Sequence, residues 1–527
     1  VNTFSTPRRL ILILGDQLNR DSAVFDDFDP DQDLIWMAET HQEATHVWSH
    51  KQRLVLFFSA MRHFAQSLES EGISVRYHHL SSDPVQDRGS CFSDLLSRDL
   101  KDLRPESLVM CPAGDDRVRR DIGNAIAESG IPIRYVTDRH FLITEEEFQH
   151  WCRGKKQLRM ETFYRYMRKR YAILMEENGS PEGGDWNFDS QNRKSFGKEG
   201  PGPLASPSSA DPDEITQSVI RMVNSRFPDH PGRLHSFEWP VTAEQAEQAL
   251  TEFIGTRLAN FGTFEDAIWT GEHLLYHSRL SAALNLKLIS PMSCIHAAET
   301  AYQNGKAPLN SVEGFIRQLL GWREFIRGIY WTYMPEYERL NELQCEDRGV
   351  PAFFWDGDTD MACARDAMES VMDRGWSHHI QRLMVLGEFS LLIGVHPYKF
   401  HEWHMAMYVD AIDWVSLPNT LGMSQYGDGG IVGSKPYCAS GNYIHKMSNA
   451  CSQCRYSPQK ATGPDACPFT TLYWDFLDRH HSRFSSNMRM KFQIRNLERK
   501  KPEEMENIRK QADAIRQRYA PRSVPSS

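Results

Sequence analysis

Between Trp376 and Asp410, within 35 residues, the chain carries an indole, two imidazoles (His378 and His379), a guanidinium (Arg382) and a carboxylate. Such a set can hold a flat, polar aromatic ligand. Rings stack on it, a guanidinium–carboxylate pair fixes an edge, and an imidazole moves a proton near neutral pH. The chain then runs on to Cys451, Cys454 and Cys467, spaced C-x2-C-x12-C. Two residues between thiolates let both sulfurs face one centre, which suits zinc or an iron–sulfur cluster. A fourth ligand must come from elsewhere, and Cys438 and Cys363 are both candidates.

These groups need elements to position them. One predicted helix carries Trp376, His378, His379 and Arg382, so that Trp376, His379 and Arg382, three residues apart, share a face. A second, Ser311 to Trp331, buries Phe315, Leu319, Trp322, Ile326 and Ile329 in one stripe and holds Gln318, Arg323 and Glu324. After Glu238 the helical pattern is almost unbroken. The first part of the chain instead alternates strand and helix. RLILILG, DLIWMAE, SVRYHHL, SLVMCPA and IPIRYVT read as strands, with helices from Lys51 to Leu68, Ser93 to Leu103 and Arg117 to Ser129. That alternation implies a parallel sheet covered on both faces, with ligands at the carboxyl ends of its strands. The loop Gly15 to Asp21 follows the first strand and Glu39 ends the second. The absence of GxGxxG argues against an ordinary dinucleotide site.

The predicted organisation is an α/β domain over 1–148, a connection over 149–237 and a helical domain over 238–527. The connection begins with a basic, aromatic stretch: Lys155, Lys156, Arg159, Arg165, Arg168 and Lys169 interleave with Phe163, Tyr164 and Tyr166, a candidate polyanion patch. A Gly/Pro/Ser-rich run follows, in which Arg193 and Lys194 could reach a polyanion and Asp185 and Asp189 a hydrated Mg²⁺.

Hydrophobic content of 40% and charged content of 25% are those of a globular protein. The net charge of −10 excludes a uniformly basic coat but not a local basic patch. No apolar run approaches the roughly 18 residues of a membrane span, and VNTFSTPRRL lacks a signal-peptide pattern, so a cytoplasmic protein is expected. Ten cysteines in such a chain read as metal ligands and free thiols rather than disulfides.

Together, HSRLS (His277 to Ser281), WREF (Trp322 to Phe325), WSHHIQR (Trp376 to Arg382) and the run from Asp410 to Asn419 resemble the flavin domain of photolyases and cryptochromes. The cysteines, with GMSQYGDGG and SGNYI, make the chain similar to the bacterial iron–sulfur branch of that family, from Gly15 to beyond Cys467. The resemblance implies an α/β antenna domain with a five-stranded, Rossmann-like parallel sheet, then an all-α domain holding FAD bent into a U. It places Ser278, Leu280 and Ser281 at the FAD phosphates. Gln318 (where Glu is usual), Arg323, Trp376, His379, Arg382, Asp410 and Asn419 belong to the rest of the cofactor site, and Arg382 would favour the reduced, anionic ring. It selects Cys363 as the fourth cysteine, for a [4Fe–4S] cluster. It implies a 6,7-dimethyl-8-ribityllumazine antenna near Gly15, Asp16, Gln17, Leu18 and Glu39. The usual tryptophan chain does not map, since Met423 falls near its first member; Trp403 and Trp355 stand in for it.

The function so implied is light-driven repair of (6-4) pyrimidine–pyrimidone photoproducts in UV-damaged DNA. His379 would be the proton donor, where enzymes for cyclobutane dimers commonly carry Asn, with His378 as its support. The second histidine of the animal (6-4) enzymes would fall at Leu383. The lesion must leave the duplex; Met423, Tyr437 and Tyr443 are expected to pack on it, and Lys435 and Arg193 to hold phosphates. The expected protein is a monomer, with Mg²⁺ as a possible aid to DNA binding. A blue-light receptor of the same fold, signalling without repair, is the alternative.

Overall fold

The computed structural model describes residues 6–207 and 211–522; 208–210, within the Pro/Ser-rich run, lie outside it, as do both chain ends. β1 (Arg9–Leu12), β2 (Asp33–Ala38), β3 (Val75–His78), β4 (Ser107–Met110) and β5 (Ile133–Tyr135) form one sheet in the order β3-β2-β1-β4-β5, with every pairing parallel. The period-two alternation of a strand decides which face each residue serves. Ile11, Ile35 and Val109 join the core under the helix Lys51–Ser70. Leu10, Leu12, Trp36, Leu108 and Met110 face the helices Phe92–Leu103 and Asp116–Ser129. Both faces are therefore covered, as the apolar strands require. Strand order reverses between β1 and β4, which opens a crevice at their carboxyl ends.

The connection is built into the fold. Its basic stretch forms the helix Met160–Tyr171, with Phe163, Tyr164 and Met167 fully buried. Arg168 is buried too and donates to the carbonyls of Ile173 and Trp186, 3.2 and 3.1 Å away. Arg165 pairs with Glu161 and Arg170 with Glu147. Part of this stretch is thus a structural staple, while Lys155, Lys156, Arg159 and Lys169 remain exposed. The helix Glu214–Arg226 then packs back on Lys51–Ser70.

Beyond it the described chain is helical. The predicted helix from Ser311 runs as Leu309–Ile316, a π-helical turn Arg317–Arg323, and Glu324–Tyr333. Two more π turns occupy Gln381–Gly387 and Pro418–Ser424. All three contain residues the sequence assigns to a site: Gln318 and Arg323, Arg382, and Asn419 with Met423. A π turn costs hydrogen-bond geometry and tends to persist where it re-aims functional side chains. No described helix is long and apolar enough to cross a membrane.

The structure corrects one predicted element. The helix Ala362–Arg374 stops at Gly375, whose φ of +59° suits glycine, and an added Cβ there would come within 2.7 Å of Val409. Trp376, Ser377 and His378 form a link, and helix resumes only at His379. Trp376 and His379 therefore do not share a helical face; the turn brings them to the same place by another route.

Candidate functional site

Arg382 organises the recess in the helical half. Its Nη1 donates to Asp410 Oδ1 at 2.9 Å and its Nε to the Ser377 carbonyl at 2.6 Å. Its guanidinium lies 4.0 Å from the Tyr408 ring centroid and 5.9 Å from that of Trp376. Asp410 also accepts from Ser281 Oγ at 2.6 Å, and its carbonyl from Asn285 Nδ2 at 2.8 Å. Burial opposes a charge on Asp410, yet Arg382 and Ser281 hold the carboxyl below its ordinary value. Ser278 Oγ accepts from the Leu280 backbone at the start of the short helix Ser281–Asn285, while Leu280 itself is core.

On this wall three imidazoles gather. His277 stacks on His378 with centroids 4.7 Å apart and planes 13° apart, and meets Trp376 edge-on at 6.5 Å. His378 is 1% exposed and neither of its ring nitrogens has a partner. His379 is open to solvent. Even so, the mass of protein around it, and then the Arg382 charge, push its imidazole down to about 4. An accessible ring that is nonetheless deeply desolvated lies on the wall of a recess rather than on an outer surface. Burial, then the charges of His379 and Arg382, take His277 to about 3. His277 was not singled out in the sequence as a site residue; only tertiary stacking brings it 100 residues along the chain to the histidine pair. Buried polar atoms without partners beside an Arg–Asp pair are the features a polar ring system would satisfy.

The remaining candidates are dispersed around this wall. Gln318 donates to Glu265 Oε1 at 3.1 Å, and burial raises Glu265 to about 8 despite nearby Arg317. Asn419 donates to the Val415 carbonyl at 2.8 Å. Arg323 is buried at the junction with the sheet unit, 3.1 Å from Glu324 and 4.4 Å over Phe141, with Nε and Nη2 unpartnered. Of the DNA candidates, the Tyr437 ring and the backbones of Met423 and Lys435 lie beside Gly433. Asp266 and Arg193 lie close enough to Tyr443 for their charges to act on it. Arg193 is largely exposed, 3.9 Å from Asp189, which also binds Arg317.

Trp403 donates from Nε1 to the Phe354 carbonyl at 2.9 Å, and its ring lies 5.7 Å from Tyr408, the ring under Arg382. Trp355 follows Phe354 in the chain, and Trp48 of the sheet unit lies 5.3 Å from it. An aromatic line therefore runs from the recess toward half-exposed Trp48, a residue with no local motif to mark it.

Cys363, Cys451, Cys454 and Cys467 line one small cavity with Met361, Ile444, Ala450, Tyr456 and Phe469, whereas Cys438 is not among its lining residues. The opposite wall is Gly441, where a Cβ would come within 2.8 Å of Cys467 Sγ. Among the described residues no three His, Cys, Asp or Glu side chains converge on a single metal ion. Four thiols around a shared space are a donor set that suits an iron–sulfur cluster or zinc.

A cavity lies at the carboxyl ends of the strands, closed from the helical side by Met405, Ile412 and Asp413. Gly15, Asp16 and Glu39 line it together with Glu43, Arg53, Phe57, Phe58 and Asp115. Gln17 and Leu18 do not: the Gln17 amide donates to the carbonyls of Cys111 and Pro112, and Leu18 is core bonded to Leu286. Glu39 is held by Arg62 through two 2.7 Å bonds and by Tyr77 at 2.8 Å. Burial, then the Asp413 charge, raises Asp115, while Asp413, itself opposed by burial, is held below its ordinary value by hydrogen bonds from His401 and Tyr330. The mixed apolar and charged lining is that of a small-molecule site.

A protein of Agrobacterium fabrum named (6-4) photolyase is 44% identical over 485 residues, spanning 92% of this chain and 94% of that one. The chain belongs to the (6-4) photolyase family. The description "Deoxyribodipyrimidine photo-lyase-related protein" matches residues 11–239. The crystal structure of a bacterial class III photolyase from Agrobacterium tumefaciens superposes with a TM-score of 0.56 at 14% identity, covering 98% of this chain and 99% of that one, which shows a shared fold. A short uncharacterized protein of Acanthamoeba polyphaga mimivirus is 29% identical over 120 residues.

Desolvated histidines make the ligand-free protein acid-sensitive. Burial, set against backbone hydrogen bonds, holds His50 at about 4, whereas the unfolded imidazole titrates near 6.5. Between these values the unfolded chain binds a proton that the folded chain refuses, so stability falls as pH drops from about 6.5 toward 4, by roughly 3 kcal/mol for His50 alone. Calorimetry across that window is expected to show a steadily falling Tm. A flat profile would contradict the burial described.

Proposed function

We propose that the chain repairs (6-4) pyrimidine–pyrimidone photoproducts in DNA under blue light, with FAD in the helical recess. The observation that carries this reading is the meeting of the Arg382–Asp410 pair with the His277–His378–His379 group, an ion pair for a flavin edge beside an accessible imidazole. Reduced FAD bound there would supply light-driven one-electron chemistry. Arg382, kept in place by Asp410 and the Ser377 carbonyl, binds the electron-rich edge of the ring. His379 holds the proton that is donated to the lesion as the bond between the bases breaks. That proton returns to the imidazole once the displaced group is back on its original base. In the ligand-free recess His379 is neutral; the negative charge of a reduced ring and of lesion phosphates favours its charged form. His277 and His378 keep the donor oriented and exclude water, so the imidazole absent at Leu383 is supplied from another part of the chain.

Around that centre, Met423, Tyr437 and Tyr443 pack on the extruded bases, and Lys435 and Arg193 hold phosphates. The cysteines hold a [4Fe–4S] cluster that ties the helix Ala362–Arg374 to the chain after the flavin site. The strand-end cavity takes the lumazine antenna. Trp403, Trp355 and Trp48 conduct electrons from outside to the ring. Replacing Trp48 with Phe is accordingly expected to slow thiol-supported photoreduction of the flavin while its binding is kept; an unchanged rate would remove Trp48 from the line.

Illuminating the purified, flavin-loaded protein with a (6-4) oligonucleotide tests the whole reading. Restored pyrimidines in light and none in darkness are expected. Clean flavin photoreduction with the lesion count unchanged would favour a light receptor instead.

A further inference from the structure

Five large apolar side chains stand exposed among the described residues, and two of them, Met488 and Phe492, are four positions apart and each 72% exposed. Their backbone is firmly anchored: Phe484, Met490 and Ile494 beneath them are 4% exposed or less. The two side chains project from the turn and the first residues of the helix Lys491–Glu498, among Arg489, Lys491 and Arg495, all of them exposed. Arg483 and Lys500 nearby are neutralised by Glu342 and Glu504, but these three cations have no ion-pair partner among the described residues.

This patch borders the segment that carries Lys435 and Tyr437, the residues expected to meet DNA. Asn487 Nδ2 donates to the Ser434 carbonyl at 3.3 Å, next to Lys435, and Phe484 packs 6.1 Å from Tyr426. Arg489 is near enough to Tyr437 for its charge to act on the phenol. Apolar tips in a cationic collar fit neither a neutral protein face nor bulk water. They fit nucleic acid, where cations meet phosphates and apolar tips enter between bases. Extruding a lesion leaves the opposite bases without partners and a gap in the stack.

We propose that Met488 and Phe492 are a wedge that enters the duplex where the lesion has left, stacking on the orphaned bases of the intact strand while Arg489, Lys491 and Arg495 hold its backbone. The wedge rests on the repair reading above. It acts only on double-stranded substrate, since a single strand has no gap to fill.

The test compares flavin-loaded full-length protein with its Met488→Ser/Phe492→Ser variant; both positions are exposed, so equal melting temperatures are expected. Affinities are measured in the dark for one (6-4) lesion placed in a duplex and in a single strand. The ratio of duplex to single-strand affinity is expected to fall about tenfold, the scale of one lost base stack. A 2-aminopurine opposite the lesion is expected to brighten in the variant complex as Phe492 stacking is lost. An unchanged ratio and unchanged fluorescence would overturn the wedge while leaving the repair reading intact. A parent protein with no preference for (6-4) DNA over undamaged DNA would overturn both.

Discussion

Replacing His379 with alanine is expected to lower repair of a (6-4) oligonucleotide by about 10²- to 10⁴-fold, the range for loss of a positioned proton donor. Flavin content should be unchanged, because the Arg382–Asp410 pair does not depend on the imidazole. The ring is solvent-open in the recess and makes no hydrogen bond that folding needs, so an effect on stability would be small. Quantum yield, bound flavin and Tm measured together separate these effects; full repair by the variant would strip His379 of its role. His277→Ala makes a useful contrast. Removing the ring stacked 4.7 Å from His378 leaves the donor present but less fixed and less desolvated. Partial repair with a pH profile moved toward higher pH is expected. An identical profile would reduce His277 to packing.

Replacing Cys363 with alanine is expected to be the most damaging single change to the fold. Cys363 opens the helix Ala362–Arg374, whose far end sets Gly375 and the turn into the histidines. Cys451, Cys454 and Cys467 come from the chain beyond the flavin site. The proposed cluster would tie these segments, and structural metal sites contribute on the order of 10 kcal/mol to folding. The variant should be recovered without iron and largely unfolded or insoluble, with the flavin lost. Cys438→Ala is the control, since Cys438 lies by Glu388 and outside the thiol cavity. Full iron in the Cys363 variant and none in the Cys438 variant would reverse the assignment.

Much of the sheet unit was legible because its signals are local. Each of the five strands is a short apolar run with turn residues on either side, and all five lie where the pattern puts them. The helices beyond β2 and β3 follow the same logic. The helical half was legible as helices but not as geometry. The break at Gly375 depends on Val409, 34 residues away, and the π turns shift the register by one residue in ways that periodicity does not carry. Arg168 shows the opposite failure: it reads as a cation for a polyanion, yet its partners are carbonyls that only the folded chain places beside it. His277 lies in the HSRLS run but is not marked there as a site residue, and Trp48 has no local signature at all. Each gains interest from a neighbour more than 100 residues away, His378 in one case and Trp355 in the other. The strand-end cavity joins Asp16 and Glu39 to Asp413, a proximity that depends on how the two halves of the chain dock.

Everything in the account turns on one recess serving both the electron source and the proton donor. The most direct measurement is a crystal structure of the flavin-loaded protein bound to a (6-4) oligonucleotide. The account predicts the flavin ring against Arg382 and Asp410, with the extruded lesion above it and within hydrogen-bond reach of His379. A flavin held elsewhere, or a lesion bound on a face remote from His379, would contradict it.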